Sequence, residues 1–227
     1  MGDAPIKLTY FGIQGVAEKV RLAFHLGGVK FEDVRVGFQD WQAIKPTTPY
    51  GQLPFMEIDG AAPMAQSGAM LRYAGRRAAE HGVPLYPSDI QGQLVVEEAL
   101  GFVSDVQREW TPMVYLGMKP ESYGHEKGTD ATAAIVKKVR SDFASMPEKL
   151  PHIMGQLTKK LEGKSFLCGE QVTIADCDLV PTLNRMVSGG VDHVPAECLD
   201  PFPEVKAYMA RFMALPAVAA YYESLKQ

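Results

Sequence analysis

Tyr10 closes a run that alternates apolar and polar residues from Ile6, and a helical pattern follows it almost at once. A phenolic hydroxyl at a strand end, facing the N-terminus of the next helix, is placed to donate to an anion. The helix dipole favours the same charge at that point. A tyrosine packed at a domain edge satisfies the same pattern. Gln66 and Ser67 stand just before a second helical pattern, Ala69 to Glu80. A hydroxyl and free backbone N–H groups at a helix start bind a carboxylate well, and an ordinary N-cap serine is the alternative. Metal chemistry is poorly served. Cys168, Cys177 and Cys198 match neither CxxC nor a zinc ribbon, and five scattered histidines form no HExxH, so no metal ligand is assigned. Asp176 stands three residues after Thr173 and reads as the acid of a capping box, a structural role.

Two kinds of element must position these groups. The first part alternates types: strand at Ile6–Tyr10, helix at Val16–Leu26 stopped by Gly27-Gly28, and strand at Phe31–Val36. Then come strand Phe55–Ile58 running into Asp59-Gly60, a short return at Pro63-Met64, and helix Ala69–Glu80 stopped by Gly82. This order, β-α-β-(short α)-β-β-α, predicts a small mixed sheet with helices packed on it. The second part reads as all helix: Ile90–Tyr115, Ala131–Phe143, His152–Leu161, the helix opened by Thr173, Glu204–Met213 and Ala217–Leu225. The fold class is α/β plus all-α. The expected organisation is 1–82, a linker at 83–89 within HGVPLYPSD (81–89), which holds a glycine and two prolines, and 90–227. Residues 1–82 carry 9 Lys/Arg and 8 Asp/Glu, a balance of +1; the remainder carries 14 and 19, or −5, matching the net −4.

At 227 residues with 46% hydrophobic and 22% charged residues, the chain is neither disordered nor fibrous. A net charge of −4 argues against a nucleic-acid partner, which a basic face would serve. No uncharged run approaches the roughly 20 apolar residues of a membrane span. The start, MGDAPIKLTYFG, has an acid at Asp3 and no apolar h-region, so no signal peptide is expected. Ile6 stands where a myristoylation site wants Ser or Thr. A reducing cytoplasmic location is the expectation.

KLTYF at 7–11, AEKVR at 17–21, DW at 40–41, GQLPFMEIDG at 51–60, QSGAMLRY at 66–73 and VTIAD at 172–176 occur in one order over nearly the whole chain. In that order and spacing the chain resembles the cytosolic glutathione transferases, most of all the sigma class, which includes the haematopoietic type of prostaglandin D synthase. The resemblance implies a thioredoxin-like first domain and a homodimer, with glutathione as co-substrate. It also implies roles. Tyr10 would be the catalytic tyrosine that stabilises the glutathione thiolate. Leu53-Pro54 would be a cis-proline turn whose Leu53 backbone pairs with the cysteinyl unit, with Gln52 beside it. Gln66 and Ser67 would hold the γ-glutamyl carboxylate, Trp41 and Lys45 the glycyl end, and Asp105 the glutamyl amine across a dimer interface. Ile13, Gln14, Gln107, Trp110, Asp178 and Thr182 would line the second-substrate pocket.

The physical task is definite. A free thiol has a pKa of about 8.5, and lowering it by about two units takes roughly 2.7 kcal/mol of selective anion stabilisation. The sigma pattern commonly carries an arginine close to the thiolate in the segment after the tyrosine, whereas this chain has Val16 there. The expected activity is conjugation of glutathione to a small hydrophobic or amphipathic electrophile. A glutathione-dependent isomerase and a non-catalytic relative of the same fold are the alternatives. Tyr221, Tyr222, Met209 and Met213 read as core residues.

Overall fold

The structure, a computed structural model, describes residues 5–226. Met1 to Ala4, on which the signal-peptide and myristoylation readings partly rest, lie outside the described residues. The first domain comprises β1 (Ile6–Phe11), α1 (Glu18–Leu26), β2 (Glu32–Val36), α2 (Trp41–Ile44), β3 (Phe55–Ile58), β4 (Met64–Ala65) and α3 (Ser67–Glu80). The sheet order is β2-β1-β3-β4. β1 and β2 are parallel, with Tyr10 opposite Arg35, while β1–β3 and β3–β4 are antiparallel. The central position of β1 explains its composition: Ile6, Leu8 and Tyr10 share one buried face, and Thr9 is buried on the other.

The second domain is helical: α4 (Ile90–Met118), α5 (Asp130–Ser145), α6 (Leu150–Leu161), α7 (Ile174–Met186), α8 (Pro203–Met213) and α9 (Pro216–Ser224). Local chemistry sets the starts. Asp89 caps α4 by accepting from the Gly92 N–H (2.8 Å), and Thr129 caps α5 by accepting from the Thr132 N–H (3.2 Å). The Thr173–Asp176 capping box is formed at α7. Where the boundaries differ from the sequence reading, hydrogen bonds account for most of it. Residues 15–17 form a separate 3-10 turn before α1, and the return strand is Met64–Ala65 rather than 63–64. α3 starts at Ser67 because Gln66, not Ser67, is its N-cap.

The segment 83–89 is not the loose linker that its prolines suggest. Leu85 and Tyr86 are buried. The Leu85 carbonyl accepts from the Ile174 N–H (2.9 Å), and the Tyr86 hydroxyl donates to Glu97 (2.9 Å). The connection is thus fastened to α7 and α4. α1 packs on α3 within its own domain and on α7 and α9 of the helical one. A partly buried ion pair crosses the same interface, where the Lys19 ammonium meets both carboxylate oxygens of Asp178 at 3.1 Å.

Candidate active site

The end of β1 and the turn into α1 build the first part of the site. The Tyr10 side chain is buried beneath the turn, and its hydroxyl accepts from the Val16 N–H at 3.4 Å. With a lone pair occupied from that side, the hydroxyl proton is free to point toward another acceptor. Gly15 makes this approach possible. Its φ is +47°, and a Cβ there would lie 2.4 Å from the Tyr10 oxygen. Burial raises the Tyr10 pKa above that of an ordinary tyrosine; the Val16 N–H and the Arg21 charge pull the other way without reversing it. Tyr10 is therefore a neutral donor at physiological pH.

Arg21 lies beneath this turn, fully buried. Its guanidinium donates to the carbonyls of Ile13 (2.8 Å), Gln14 (3.2 Å) and Phe11 (3.4 Å) and to the Asp33 carboxylate (3.0 Å). It also stands 5.7 Å from the centre of the Tyr10 ring. One side chain thus fixes the loop that carries Ile13 and Gln14, both exposed, and adds positive potential under Tyr10. Glu18, also buried, faces Arg21 at 3.4 Å and accepts from the Tyr221 hydroxyl at 3.1 Å, which ties α9 to the same turn. Val16 is 48% exposed and brings an uncharged side chain to this turn.

Other elements converge on the same sheet end. The Leu53–Pro54 bond is cis, and Gln52 and Leu53 precede the ladder, which begins at Phe55. Gln66 holds φ +78°, a conformation that costs a non-glycine residue of order 1 kcal/mol and clusters at ligand sites. Its carbonyl already accepts from the Ala69 and Met70 N–H groups, and α3 has no side-chain cap. The Ser67 and Gly68 N–H groups therefore open at the N-terminus of a 14-residue helix. Trp41 lies edge-on to Phe11 (5.8 Å), which also stacks on Phe38 (4.6 Å). Lys45 is exposed and passes over Gly51.

The helical domain supplies the facing wall. Gln107 donates to Asp178 (2.8 Å) and lies 3.5 Å from the Thr182 hydroxyl, so these three expected pocket residues do meet, in one network with Lys19. Their polar groups are engaged with one another between α4 and α7, and Asp178 also reaches across the domain interface to Lys19. Trp110 is different. Little of its surface is exposed, and its ring packs against Phe143 of α5 with centres 5.7 Å apart. Asp105 is exposed on α4 and paired with Arg108 (2.5 Å). No group of three or more His, Cys, Asp and Glu that could hold a metal occurs among the described residues.

Comparison with known proteins agrees with this geometry. Residues 16–77 match the family model for the glutathione S-transferase N-terminal domain, and residues 131–225 match the one for the C-terminal domain. Glutathione S-transferase 1 of Ascaris suum is 34% identical over 178 residues, 78% of each chain. Hematopoietic prostaglandin D synthase of Gallus gallus is 32% identical over 216 residues, 95% of this chain and 94% of its own.

The chain belongs to the glutathione S-transferase family.

A Caenorhabditis elegans glutathione transferase crystal structure superposes with a TM-score of 0.76 at 28% identity, covering 97% of both chains. Against this glutathione transferase framework, three residues the sequence reading passed over gain weight. Arg21 stands among Val20, Leu22 and Ala23, an apolar setting that signals a buried cation. Lys19 is the partner of Asp178. Tyr115, exposed on α4, adds to the rise of the Tyr10 pKa, after burial. The spacing 107, 111, 115 marks that helix stripe once Gln107 is assigned to the pocket.

None of the three cysteines is set up as a nucleophile in this transferase. Burial pushes all three thiols up, Cys177 well above the ordinary range and Cys198 to about 11. Titration of the native protein with a disulfide reagent at pH 7.5 should show no fast-reacting thiol. Unfolding in guanidinium should release all three. Cys177 is buried and Cys168 and Cys198 are half-buried, so one fast equivalent in the native state would contradict the raised thiol pKa values.

Proposed function

We propose that this glutathione transferase conjugates glutathione to a small hydrophobic or amphipathic electrophile, using Tyr10 to stabilise the thiolate. The observation that carries this reading is the neutral, buried Tyr10 hydroxyl, held by the Val16 N–H with its proton free for an acceptor. Glutathione supplies the sulfur nucleophile. On this reading the Ser67 hydroxyl, the Ser67 and Gly68 N–H groups and the Gln66 side chain hold the γ-glutamyl carboxylate. The backbone of Leu53, presented beside Gln52 at the cis Leu53–Pro54 bond, pairs with the cysteinyl unit. Trp41 and Lys45 take the glycyl end. Each role fits what its element offers: a helix N-terminus for an anion, an extended edge for a peptide, and an exposed cation for a carboxylate. Ile13, Gln14 and Tyr115 border the electrophile, with Gln107, Asp178 and Thr182 as a fixed polar wall.

The test is the rate of thioether formation with glutathione and a panel of aryl halides, enals and isothiocyanates. Saturable dependence on glutathione is expected, weakened in Ser67→Ala by about 1–3 kcal/mol in binding. No glutathione-dependent product from any of them would sink the reading. A glutathione-dependent isomerase, similar to prostaglandin D synthase, is the second reading, favoured by the 32% identity to the Gallus gallus synthase.

The reading includes a dimer in a reducing cytosol. Leu94 is 64% exposed on α4 with Ile90 and Val95 beside it, an apolar face suited to a second copy, and all three cysteines are free. Asp105, on the same helix, would then reach the partner's glutathione amine. Asp105→Ala should weaken glutathione binding by about 1–3 kcal/mol. Light scattering showing a strict monomer at micromolar concentration would remove that role.

A further inference from the structure

The buried face of α1 carries two charges where apolar side chains would bury more readily. Glu18 and Arg21 are both fully buried and stand one turn apart. The Arg21 Nη1 that holds the Ile13 and Gln14 carbonyls is the same atom that faces Glu18 Oε2 at 3.4 Å. Glu18 therefore acts directly on the cation that stands 5.7 Å from the centre of the Tyr10 ring. The other groups packed on this pair come from β2, α9 and α1 itself. Asp33 on β2 accepts from Arg21 Nε (3.0 Å) and from Arg35 Nε (2.8 Å). Tyr221 on α9 donates to Glu18 (3.1 Å) and lies 3.4 Å from Arg35 Nη2, while Tyr222 faces the same carboxylate. His25 stacks on Tyr221 at 4.4 Å, and burial lowers its pKa, so it is neutral at pH 7. Lys19, next along α1, is paired with Asp178.

Arg21 and Arg35 thus meet Glu18 and Asp33, and the cluster beneath the Tyr10 turn is neutral. Glu18 is nonetheless poorly satisfied. Its Oε1 is buried with no hydrogen-bond partner among the described residues. Burial raises its pKa, opposed in part by Arg21 and then by the two tyrosines. Holding such a carboxylate ionised is unfavourable in itself. Its effect on the site has a definite sign. A negative charge beside Arg21 cancels part of the positive potential under the Tyr10 hydroxyl, and that potential favours any anion the hydroxyl meets. Val16, uncharged at the same turn, adds none.

We infer that Glu18, backed by Asp33, restrains ionisation of the bound glutathione thiol by damping the field of Arg21 beneath Tyr10. The role rests on the proposed use of Tyr10. Glu18 acts through Arg21 and touches no substrate, so it is a positioning residue. The experiment follows the ultraviolet band of bound thiolate against pH in the full chain with glutathione. Glu18→Gln keeps the shape and removes the charge, and should lower the midpoint by about half a unit to one unit. The kcat/KM profile should move to lower pH with it, at little change in the KM for glutathione. A merely structural glutamate would give the opposite sign or none, since a loosened Tyr10 turn stabilises the thiolate less well. Glu18→Asp keeps the charge and should stay near the parent. Asp33→Asn removes the second carboxylate on Arg21 and should shift the midpoint the same way as Glu18→Gln, by less because Asp33 is partly exposed; it carries the test if Glu18→Gln does not fold. An unmoved or raised midpoint in either neutral variant, or an equal shift in Glu18→Asp, overturns the role. A parent with no thiolate band at neutral pH would instead sink the conjugation reading, and this role with it.

Discussion

Replacing Tyr10 by phenylalanine should lower the rate at pH 6.5–7 by roughly 10–10³-fold, the loss expected for one preorganised donor. The substitution removes one oxygen from a buried ring, and the Phe11 contact and the Gly15 turn that cover the ring stay in place. Glutathione affinity should therefore change little. The thiol would ionise less readily without the donor, so the pH profile of kcat/KM should move toward higher pH. The sign follows from which form the hydroxyl favours. Burial keeps Tyr10 neutral; in the proposed role its hydroxyl would favour the thiolate over the thiol, so its removal should raise the bound thiol's pKa. Val16→Arg should move the profile in the opposite direction, because the side chain at 16 is half exposed beside the tyrosine and an added cation favours the charged sulfur. The ultraviolet difference band of bound thiolate, followed against pH, reports both variants. An unchanged titration and rate in Tyr10→Phe would make Tyr10 structural and turn attention to the Val16 N–H and Arg21.

The largest expected loss of stability lies far from that chemistry. Asp176 is fully buried. One carboxylate oxygen accepts from the Leu167 N–H (3.0 Å) and the Tyr208 hydroxyl (2.9 Å). The other accepts from the Thr173 N–H (2.7 Å) and hydroxyl (3.1 Å). Asp176→Ala leaves these donors in an apolar interior, where each unsatisfied group costs about 1–3 kcal/mol. Their losses do not simply add, and about 3–5 kcal/mol is expected, a large share of a typical domain's 5–15. Urea unfolding should show a lower midpoint at unchanged slope. The fraction that remains folded should keep its conjugation rate. A normal midpoint with lost activity would instead place Asp176 in the site.

The readable parts of this protein are those whose partners are near in sequence. The Thr173–Asp176 capping box needs only an i, i+3 spacing. The alternation of β1, the glycine stops and the strand–turn–helix around Tyr10 are equally local, and they carried the two-domain order and the place of the tyrosine. Ser67 shows the limit even at short range: a hydroxyl before a helical pattern suggests a cap, yet a left-handed Gln66 takes the capping position and leaves Ser67 at the first turn.

What tertiary structure alone decided is which charges and rings pair across the domain interface. Lys19 finds Asp178 159 residues away, and Tyr221 finds Glu18 203 residues away. Periodicity says which face of a helix is buried but not which buried face it meets, so Gln107, Asp178 and Thr182 could be grouped without revealing Lys19 among them. Trp110 and Tyr115 share α4, and only the packing of that helix decides that the tryptophan is buried against Phe143 of α5 while the tyrosine stays exposed. Arg21 follows the same rule. An arginine in an apolar stripe is costly to bury, and three carbonyls and a carboxylate gathered by the fold are what make its place beneath Tyr10 affordable.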